Sequence, residues 1–153
     1  VFFLFLTQLS RYGPLANRFD LGEVAEALSR TIELVRNLCE DGRDVNAEGG
    51  REALLTCLIT DGASMLATQG GKELYWSTHK TRCSDRDTCP NLSGECEAPT
   101  RTGFVNHLIF SSEPLSGENV WNQLGSGELV GVDWRMRLAK GDVSGKLRSI
   151  PSA

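Results

Sequence analysis

The sequence lacks the features that mark membrane-spanning, nucleic-acid-binding and low-complexity proteins. Its longest apolar run is Val1–Leu6, far short of the roughly 20 residues that a membrane-spanning helix needs. It has no run of Lys and Arg, and 16 basic against 20 acidic residues give a formal net charge of −4. This balance argues against nucleic acid or an anionic membrane as the main partner. With 40% hydrophobic and 24% charged residues, a folded globular domain is expected instead.

Signals for secretion and regular disulfide pairing are also missing. The five cysteines, an odd number, are Cys39, Cys57, Cys83, Cys89 and Cys96. Because no signal peptide is recognisable, we expect a reducing, cytoplasmic compartment. The sequence opens on Val1 inside an apolar segment, whereas natural termini are usually polar, so we expect further residues to precede it.

Two helices are predicted near the start of the chain. Val1–Leu9 is apolar on almost every side and should be mostly buried. Asp20 stands before the next apolar stretch, with Glu23 three residues later, which is the pattern of an N-cap and its capping-box partner. From Leu21 to Leu38 the apolar residues follow i, i+3, i+4, i+7 spacing, which predicts an amphipathic helix.

The remaining chain has the pattern of antiparallel strands. The Gly-rich, charged segment Asp41–Arg51 predicts a surface loop, and Asp61-Gly62 is a strong hairpin signal. Two helices followed by strands indicate an α+β domain in which a helix pair packs on one sheet. We predict a domain over residues 1–140 and a flexible tail over 141–153. The predicted strands are Ala53–Thr60, Ala63–Thr68, Glu73–Thr78, Phe104–Phe110, Glu128–Val132 and Met136–Leu138.

Residues 79–102 form a polar insertion between the third and fourth strands, without apolar periodicity. A loop of this length usually has its own stabilisation or function. Thiolates and imidazole suit tetrahedral zinc, so we expect its candidate ligands to lie close together. These candidates are His79, Cys83, Cys89 and Cys96. Their spacing differs from the usual zinc knuckle, so structural zinc, a disulfide between two of the three cysteines, and free thiols all remain open.

The other chemistry-bearing residues form no recognisable catalytic set. His107 lies in an apolar strand without triad spacing or a nucleophile elbow, so a hydrogen-bonded histidine on the less buried face is favoured. Glu113 and Asp133 are lone carboxylates at strand ends. Core or rim packing is expected for Trp76, Trp121 and Trp134. The residues alone do not identify a reaction.

Several segments together resemble a known family over about residues 1–138. They are Val1–Leu9, Leu28–Val35, Leu54–Gly62, Ser111–Leu115 and Glu118–Trp121. In order and wording they resemble the second half of class II glutamine amidotransferase-like proteins of the N-terminal-nucleophile hydrolase superfamily. The branch they resemble holds the bacterial YafJ-like proteins, the ergothioneine-pathway γ-glutamyl hydrolase and the fungal amidotransferase-like subunit that degrades glutathione. The most specific piece is Ser-Glu-Pro-Leu followed by a Trp, and the Thr-Asp-Gly hairpin supports it.

This resemblance implies the C-terminal half of a four-layer αββα sandwich. Half of such a sandwich would leave the apolar inner face of its sheet uncovered. The resemblance also implies a Cys nucleophile at the mature N-terminus that attacks a γ-glutamyl amide and forms a thioester. An Asn side chain and a Gly N–H would form its oxyanion hole. In the family these residues precede the segment that corresponds to Val1–Leu9, so no catalytic or cofactor-binding residue is assigned in this chain.

The function implied by the resemblance is that of a γ-glutamyl amide hydrolase or amidotransferase. Its substrate would be glutamine or a γ-glutamyl peptide or thiol, no cofactor would be required, and a homo-oligomer or a partner subunit is conceivable. Cys39 and Cys57 are internal and do not replace the nucleophile. The alternative is a non-catalytic, metal-stapled module that binds a protein partner.

Overall fold

A computed structural model describes residues 1–41, 54–144 and 146–149. Within these residues the chain forms two α-helices followed by eight strands. The elements are α1 (Phe2–Leu9), α2 (Leu21–Asp41), β1 (Cys57–Thr60), β2 (Met65–Thr68), β3 (Tyr75–Ser77), β4 (Ile109–Ser111), β5 (Asn122–Gln123), β6 (Glu128–Val132), β7 (Leu138–Asp142) and β8 (Arg148–Ser149). All strand pairs are antiparallel. The predicted α+β class is confirmed. Apart from Asp41, the predicted loop Asp41–Arg51 lies outside the described residues.

The predicted start of α2 is confirmed in detail. The Glu23 N–H donates to Asp20 Oδ1 and the Asp20 N–H donates to Glu23 Oε2, both at 2.8 Å. These two bonds form the capping box that satisfies backbone donors at the first turn. The apolar stripe that follows, including Ala25, Leu28 and Ile32, is buried. None of the described helices is both long and apolar enough to cross a membrane.

The two helices pack on one face of a five-stranded sheet with the order β1-β2-β6-β7-β8. Side chains alternate between the two faces of each strand. Leu66 on β2 and Leu129 on β6 therefore point to the helices and pack in one cluster with Leu28 of α2. We call this cluster the helix-side core.

The prediction that α1 is mostly buried is wrong. Phe5, Gln8 and Leu9 are buried, whereas Phe2 and Phe3 are 66% and 83% exposed. The reason is geometric, because a helix that packs along one side buries one stripe however apolar its other side is.

The second face of the large sheet is covered by other strands of the same chain. After β2 the chain leaves the sheet, builds a three-stranded sheet of order β4-β3-β5, and returns as β6. Trp76 on β3 packs with Val130 and Leu138 of the large sheet, which are only 2% and 1% exposed. The expected bare inner face is therefore absent from this part of the sheet. At the β1 edge, by contrast, Leu58 is 54% exposed.

Of the predicted strands, only Glu128–Val132 has the observed bounds; three others are shorter than predicted, and two shift along the chain. Of the predicted strand Phe104–Phe110, only its end belongs to β4. Val105 and Leu108 belong to no strand. They are buried in the cluster that also holds Trp76, Val130 and Leu138, which we call the second core. Met136, the predicted start of the sixth strand, lies in the β6–β7 turn with a φ of 62°.

The predicted boundary at residue 140 falls inside β7, which continues to Asp142. β8 then pairs with β7 through Ala139↔Ser149 and Lys140↔Arg148. Polar and Gly residues at this end of β7 gave no apolar alternation from which the strand could be predicted. Residues 145 and 150–153 of the predicted tail lie outside the described residues.

Candidate functional site

The insertion, residues 79–102, is tied together at one point by the Glu97 carboxylate. Glu97 Oε1 accepts a hydrogen bond from the Cys83 N–H at 2.7 Å. Its second oxygen, Oε2, lies 3.3 Å from the Arg86 guanidinium. One side chain thus joins two distant parts of the loop and replaces the packing that a polar segment lacks.

A second carboxylate, Glu118, anchors the insertion to the segment before β5. Glu118 Oε2 lies 3.1 Å from Lys80 Nζ and accepts a hydrogen bond from the Ser84 N–H at 3.2 Å. The Glu118 carbonyl oxygen also accepts from the Thr81 N–H at 2.8 Å. The bond from Lys80, and then that from Ser84, lower the pKa of Glu118. The role of the Glu97 and Glu118 carboxylates as anchors of the insertion has no local signal in the sequence, although Glu118 begins one of the segments that carry the family resemblance.

The four predicted metal ligands are not grouped as a metal site requires. Across residues 1–41, 54–144 and 146–149, no three His, Cys, Asp or Glu side chains are arranged to hold a metal ion. Cys83 is buried, Cys89 and Cys96 are half-buried, and all three are free thiols. His79 lies just after β3. Structural zinc therefore stays a prediction for metal analysis of the purified protein.

Cys96 has the most polar surroundings of these thiols. Asn106 Nδ2 donates hydrogen bonds to Cys96 Sγ at 3.0 Å and to Ser93 Oγ at 2.8 Å. The backbone of Ser93, followed by the Asn106 amide, lowers the pKa of Cys96. In contrast, burial raises the pKa of Cys57 on β1. A thiol becomes a better nucleophile as its thiolate is stabilised at neutral pH, so Cys57 is poorly suited to that role.

The two histidines of the chain are both half-buried and lie near each other, His79 as the first residue of the insertion and His107 shortly after its end. Burial lowers the pKa of His79. It also lowers the pKa of His107, which the nearby charges of Lys80 and His79 lower further. His79 Nδ1 and His107 Nε2 are buried atoms without a hydrogen-bond partner among the described residues. The hydrogen-bonded state predicted for His107 is therefore not observed at Nε2, and both rings favour the neutral form.

The turn between β6 and β7 presents an exposed tryptophan. Asp133 Oδ1 accepts hydrogen bonds from the N–H groups of Arg135 and Arg137, both at 2.9 Å. Met136 completes the turn in the left-handed region, and its carbonyl oxygen accepts from the Val105 N–H at 3.0 Å. Asp133 is thus a turn residue. Trp134, at the tip, is 55% exposed instead of packed in the core or its rim.

Arginine side chains surround this tryptophan. The Arg135 guanidinium lies 4.5 Å from the centre of the Trp134 ring, and that of Arg18 lies at 5.8 Å. A groove of about 430 Å³ opens beside them. Its wall includes Arg18, Asp20, Ser64, Asp133, Trp134 and Arg137. We call it the Arg–Trp groove. No local sequence pattern predicts this groove, because Arg18 and Trp134 are distant along the chain.

The motif that carries the family resemblance is joined by a hydrogen bond. Trp121 Nε1 donates to the carbonyl oxygen of Leu115 at 3.0 Å, so Glu118–Trp121 contacts the end of Ser111–Leu115. Glu113, within Ser111–Leu115, is exposed, and its N–H donates to Ser111 Oγ at 3.4 Å. Trp76 is buried in the second core, as predicted.

Comparison with known proteins gives one distant structural likeness. No protein-family model and no curated protein matches the chain. A solved structure that resembles it is that of a glutamine aminotransferase class-II domain protein from Silicibacter pomeroyi, with 17% sequence identity and a TM-score of 0.48. The match covers 99% of this chain and 50% of that protein, so the chain spans half of its length. A likeness this distant carries no argument about activity.

Proposed function

We propose that this chain forms part of a class II glutamine amidotransferase-type enzyme that cleaves γ-glutamyl amide bonds. The supporting observation is the hydrogen bond from Trp121 Nε1 to the Leu115 carbonyl oxygen. The indole N–H of a partly buried Trp needs a partner, and the end of the Ser-Glu-Pro-Leu segment provides it. The two parts of the most specific motif therefore occur together for a structural reason.

The Thr-Asp-Gly hairpin supports the same proposal. Asp61 Oδ1 accepts hydrogen bonds from the N–H groups of Ser64 at 2.7 Å and Ala63 at 2.9 Å. Gly62 has a φ of +84°, a conformation that favours glycine. The Ser64 bond is the largest of the effects that lower the pKa of Asp61. This carboxylate is committed to the turn, so the motif contributes to the family fold rather than to its chemistry.

In the proposed reaction the nucleophile is an N-terminal Cys encoded upstream of Val1. Its thiolate attacks the γ-carbonyl carbon of glutamine or a γ-glutamyl conjugate, the C–N bond breaks, and the amine leaves with a proton. Water then hydrolyses the γ-glutamyl thioester to glutamate and regenerates the thiol. Neither Cys39, exposed on α2, nor Cys57, half-buried on β1, is assigned this role.

The test compares this chain with the product of its reading frame extended upstream. Release of glutamate from glutamine and from a γ-glutamyl anilide is measured for both proteins. We expect the extended protein to begin Met-Cys and to be active, replacement of that Cys by Ala to abolish activity, and the 153-residue chain alone to be inactive.

Two outcomes would contradict the proposal. An upstream sequence without a Met-Cys start would favour the non-catalytic interaction module. Activity of the isolated chain that is lost in Cys57→Ala and kept in Cys96→Ala would place the nucleophile inside this chain.

A further inference from the structure

The tip of the β6–β7 hairpin is a turn held by several hydrogen bonds to its backbone. Its backbone is fixed by the two hydrogen bonds to Asp133 Oδ1 and by the bond from the Leu138 N–H to the Gly103 carbonyl oxygen at 2.8 Å. Trp134 is nevertheless 55% exposed. An exposed aromatic ring on an ordered turn offers a face on which a planar ligand can stack.

Among the described residues, no ion pair involves the guanidinium groups of Arg18 and Arg135 beside this ring, or that of Arg137, which lies 5.7 Å from the centre of the Phe104 ring. The ion pairs within 4.0 Å that the described residues do form are Arg30–Glu26, Lys80–Glu118 and Arg86–Glu97. The charge of Arg18 does act on the nearby Asp61 carboxylate. The charges of the three arginines are concentrated at one place on a chain whose net charge is −4.

The carboxylates near the groove already accept backbone hydrogen bonds. Asp20 Oδ1 accepts from the Glu23 N–H at 2.8 Å, and Asp133 Oδ1 accepts from two N–H groups of its turn. Asp61 is bonded to Ser64 and Ala63. These three acids balance the formal charge of the three arginines, but the oxygens that accept these bonds are held at the backbone. The three guanidinium groups are in none of the ion pairs of the described residues.

The shape of the groove favours a small ligand. Its volume of about 430 Å³ falls within the roughly 300–1,000 Å³ that is usual for small-molecule clefts. The Arg18 guanidinium lies 5.8 Å from the ring centre, near the limit of about 6 Å for a cation–π contact. Arg18 can therefore turn toward an anion with little loss, and planar guanidinium forks match carboxylate and phosphate oxygens.

We infer that the Arg–Trp groove binds a small planar anion, a carboxylate or phosphate carried on an aromatic or purine ring. The anionic group contacts Arg18 and Arg137, and the ring stacks beside Trp134. This site is independent of the proposed γ-glutamyl chemistry, because none of its residues belongs to the motif on which that proposal rests.

Calorimetric titration of the chain at constant ionic strength tests the inference. The anionic probes are isophthalate and adenosine 5′-monophosphate, and their neutral counterparts are isophthalamide and adenosine. We expect single-site binding of at least one anion, about tenfold tighter than its neutral counterpart. The two probes distinguish carboxylate from phosphate recognition.

Substitutions then locate the site. Arg18→Gln and Arg137→Gln should each weaken binding about tenfold, and Trp134→Leu should weaken it as well. Arg101→Gln is the matched control, because Arg101 is also exposed but lies outside the groove. Thermal unfolding of each variant shows whether it is folded, and Arg18→Gln, which changes a residue outside any helix or strand, keeps the test valid if a hairpin variant unfolds.

Three results would overturn the inference. The first is that neither anion binds more tightly than its neutral counterpart. The second is that Arg101→Gln weakens binding as much as Arg18→Gln does, which would indicate general charge attraction. The third is that hexaglutamate binds while both small anions fail, which would identify an interaction surface for acidic peptides instead.

Discussion

The helix-side core and the insertion are stabilised by different kinds of interaction. In the core, Leu28, Leu66 and Leu129 are each at most 1% exposed and pack in one apolar cluster. In the insertion, Glu97 and Glu118 join polar segments through hydrogen bonds and ion pairs. Apolar burial involves no titrating group and is not weakened by charge screening, whereas partly exposed ion pairs weaken in salt and with protonation. The two regions should therefore respond to different perturbations.

The largest effect is expected in the core. Leu28→Ala removes a side chain that is 1% exposed, so the free energy of unfolding should fall by about 2–5 kcal/mol. Leu38→Ala on the same helix is the control, because Leu38 is 68% exposed, and its effect should stay within about 0.5 kcal/mol. Urea denaturation measures both, and equal losses would show that the helix does not bury the assigned face.

A glycine pair extends the comparison to backbone packing. A Cβ at Gly131 on β6 would lie 2.5 Å from the Met65 carbonyl oxygen, whereas at Gly94 in the insertion no atom lies within 4 Å. Gly131→Ala should therefore reduce the free energy of unfolding by about 1–3 kcal/mol. Gly94→Ala should leave it almost unchanged. The same denaturation assay applies, and a stable Gly131→Ala variant would contradict the β2–β6 register.

The insertion should open without global unfolding when Glu97 is removed. Glu97→Ala leaves the Cys83 N–H without its acceptor, so labelling of the Cys83 thiol, 9% exposed in the fold, should accelerate about fivefold. The free energy of unfolding should change by less than about 1 kcal/mol. High salt should increase labelling of the unsubstituted chain in the same direction.

Glu113→Ala is the control for this experiment, because Glu113 is exposed and outside the insertion. Its labelling rate should match that of the unsubstituted chain. If Glu97→Ala also left the Cys83 labelling rate unchanged, the carboxylate would not be what stabilises the insertion.

The smallest effect is a pH dependence from the two histidines. The pKa values of His79 and His107 are lowered in the fold, so the unfolded state binds more protons below its own pKa of about 6.5. Stability should therefore be fully present above that pH and decrease as the pH falls toward the folded pKa values. Glu118, which pairs with Lys80 beside them, titrates at lower pH because its own pKa is lowered.

The double variant His79→Gln/His107→Gln isolates this contribution. Between pH 7 and pH 5 its free energy of unfolding should decline less than that of the unsubstituted chain, as measured by urea denaturation at each pH. Identical slopes would mean that the rings titrate alike in the folded and unfolded states.

Features with a short-range cause were predictable from the sequence, and those made by distant residues were not. The capping box of Asp20 and Glu23 and the Asp61-Gly62 hairpin each depend on residues within one turn of each other. The contact of Glu97 with Cys83 has no such local signal. Nor do strands of two residues such as β5, since their pairing is decided by the tertiary fold.

The candidate sites follow the same division. The prediction of a metal site rests on residue type and spacing, but spacing in a loop without periodicity does not determine where the side chains point. The Arg–Trp groove needs Arg18, before α2, and the β6–β7 turn, which only the completed fold brings together. The resemblance to a family singled out Ser111–Leu115 and Glu118–Trp121 as one motif, and only the structure shows that the Trp121 N–H joins them by donating to the Leu115 carbonyl oxygen.

The placement of the tryptophans has a spectroscopic consequence. Trp76 is buried with Lys140 Nζ 4.0 Å from its ring centre, Trp121 is half-buried with its N–H bonded, and Trp134 is exposed. Their indole emission should therefore differ in wavelength and in quenching by iodide or acrylamide. Single-tryptophan versions of the chain would turn each ring into a reporter for one region, namely the contact between the sheets, the segment around Leu115 and the hairpin tip, with no external dye.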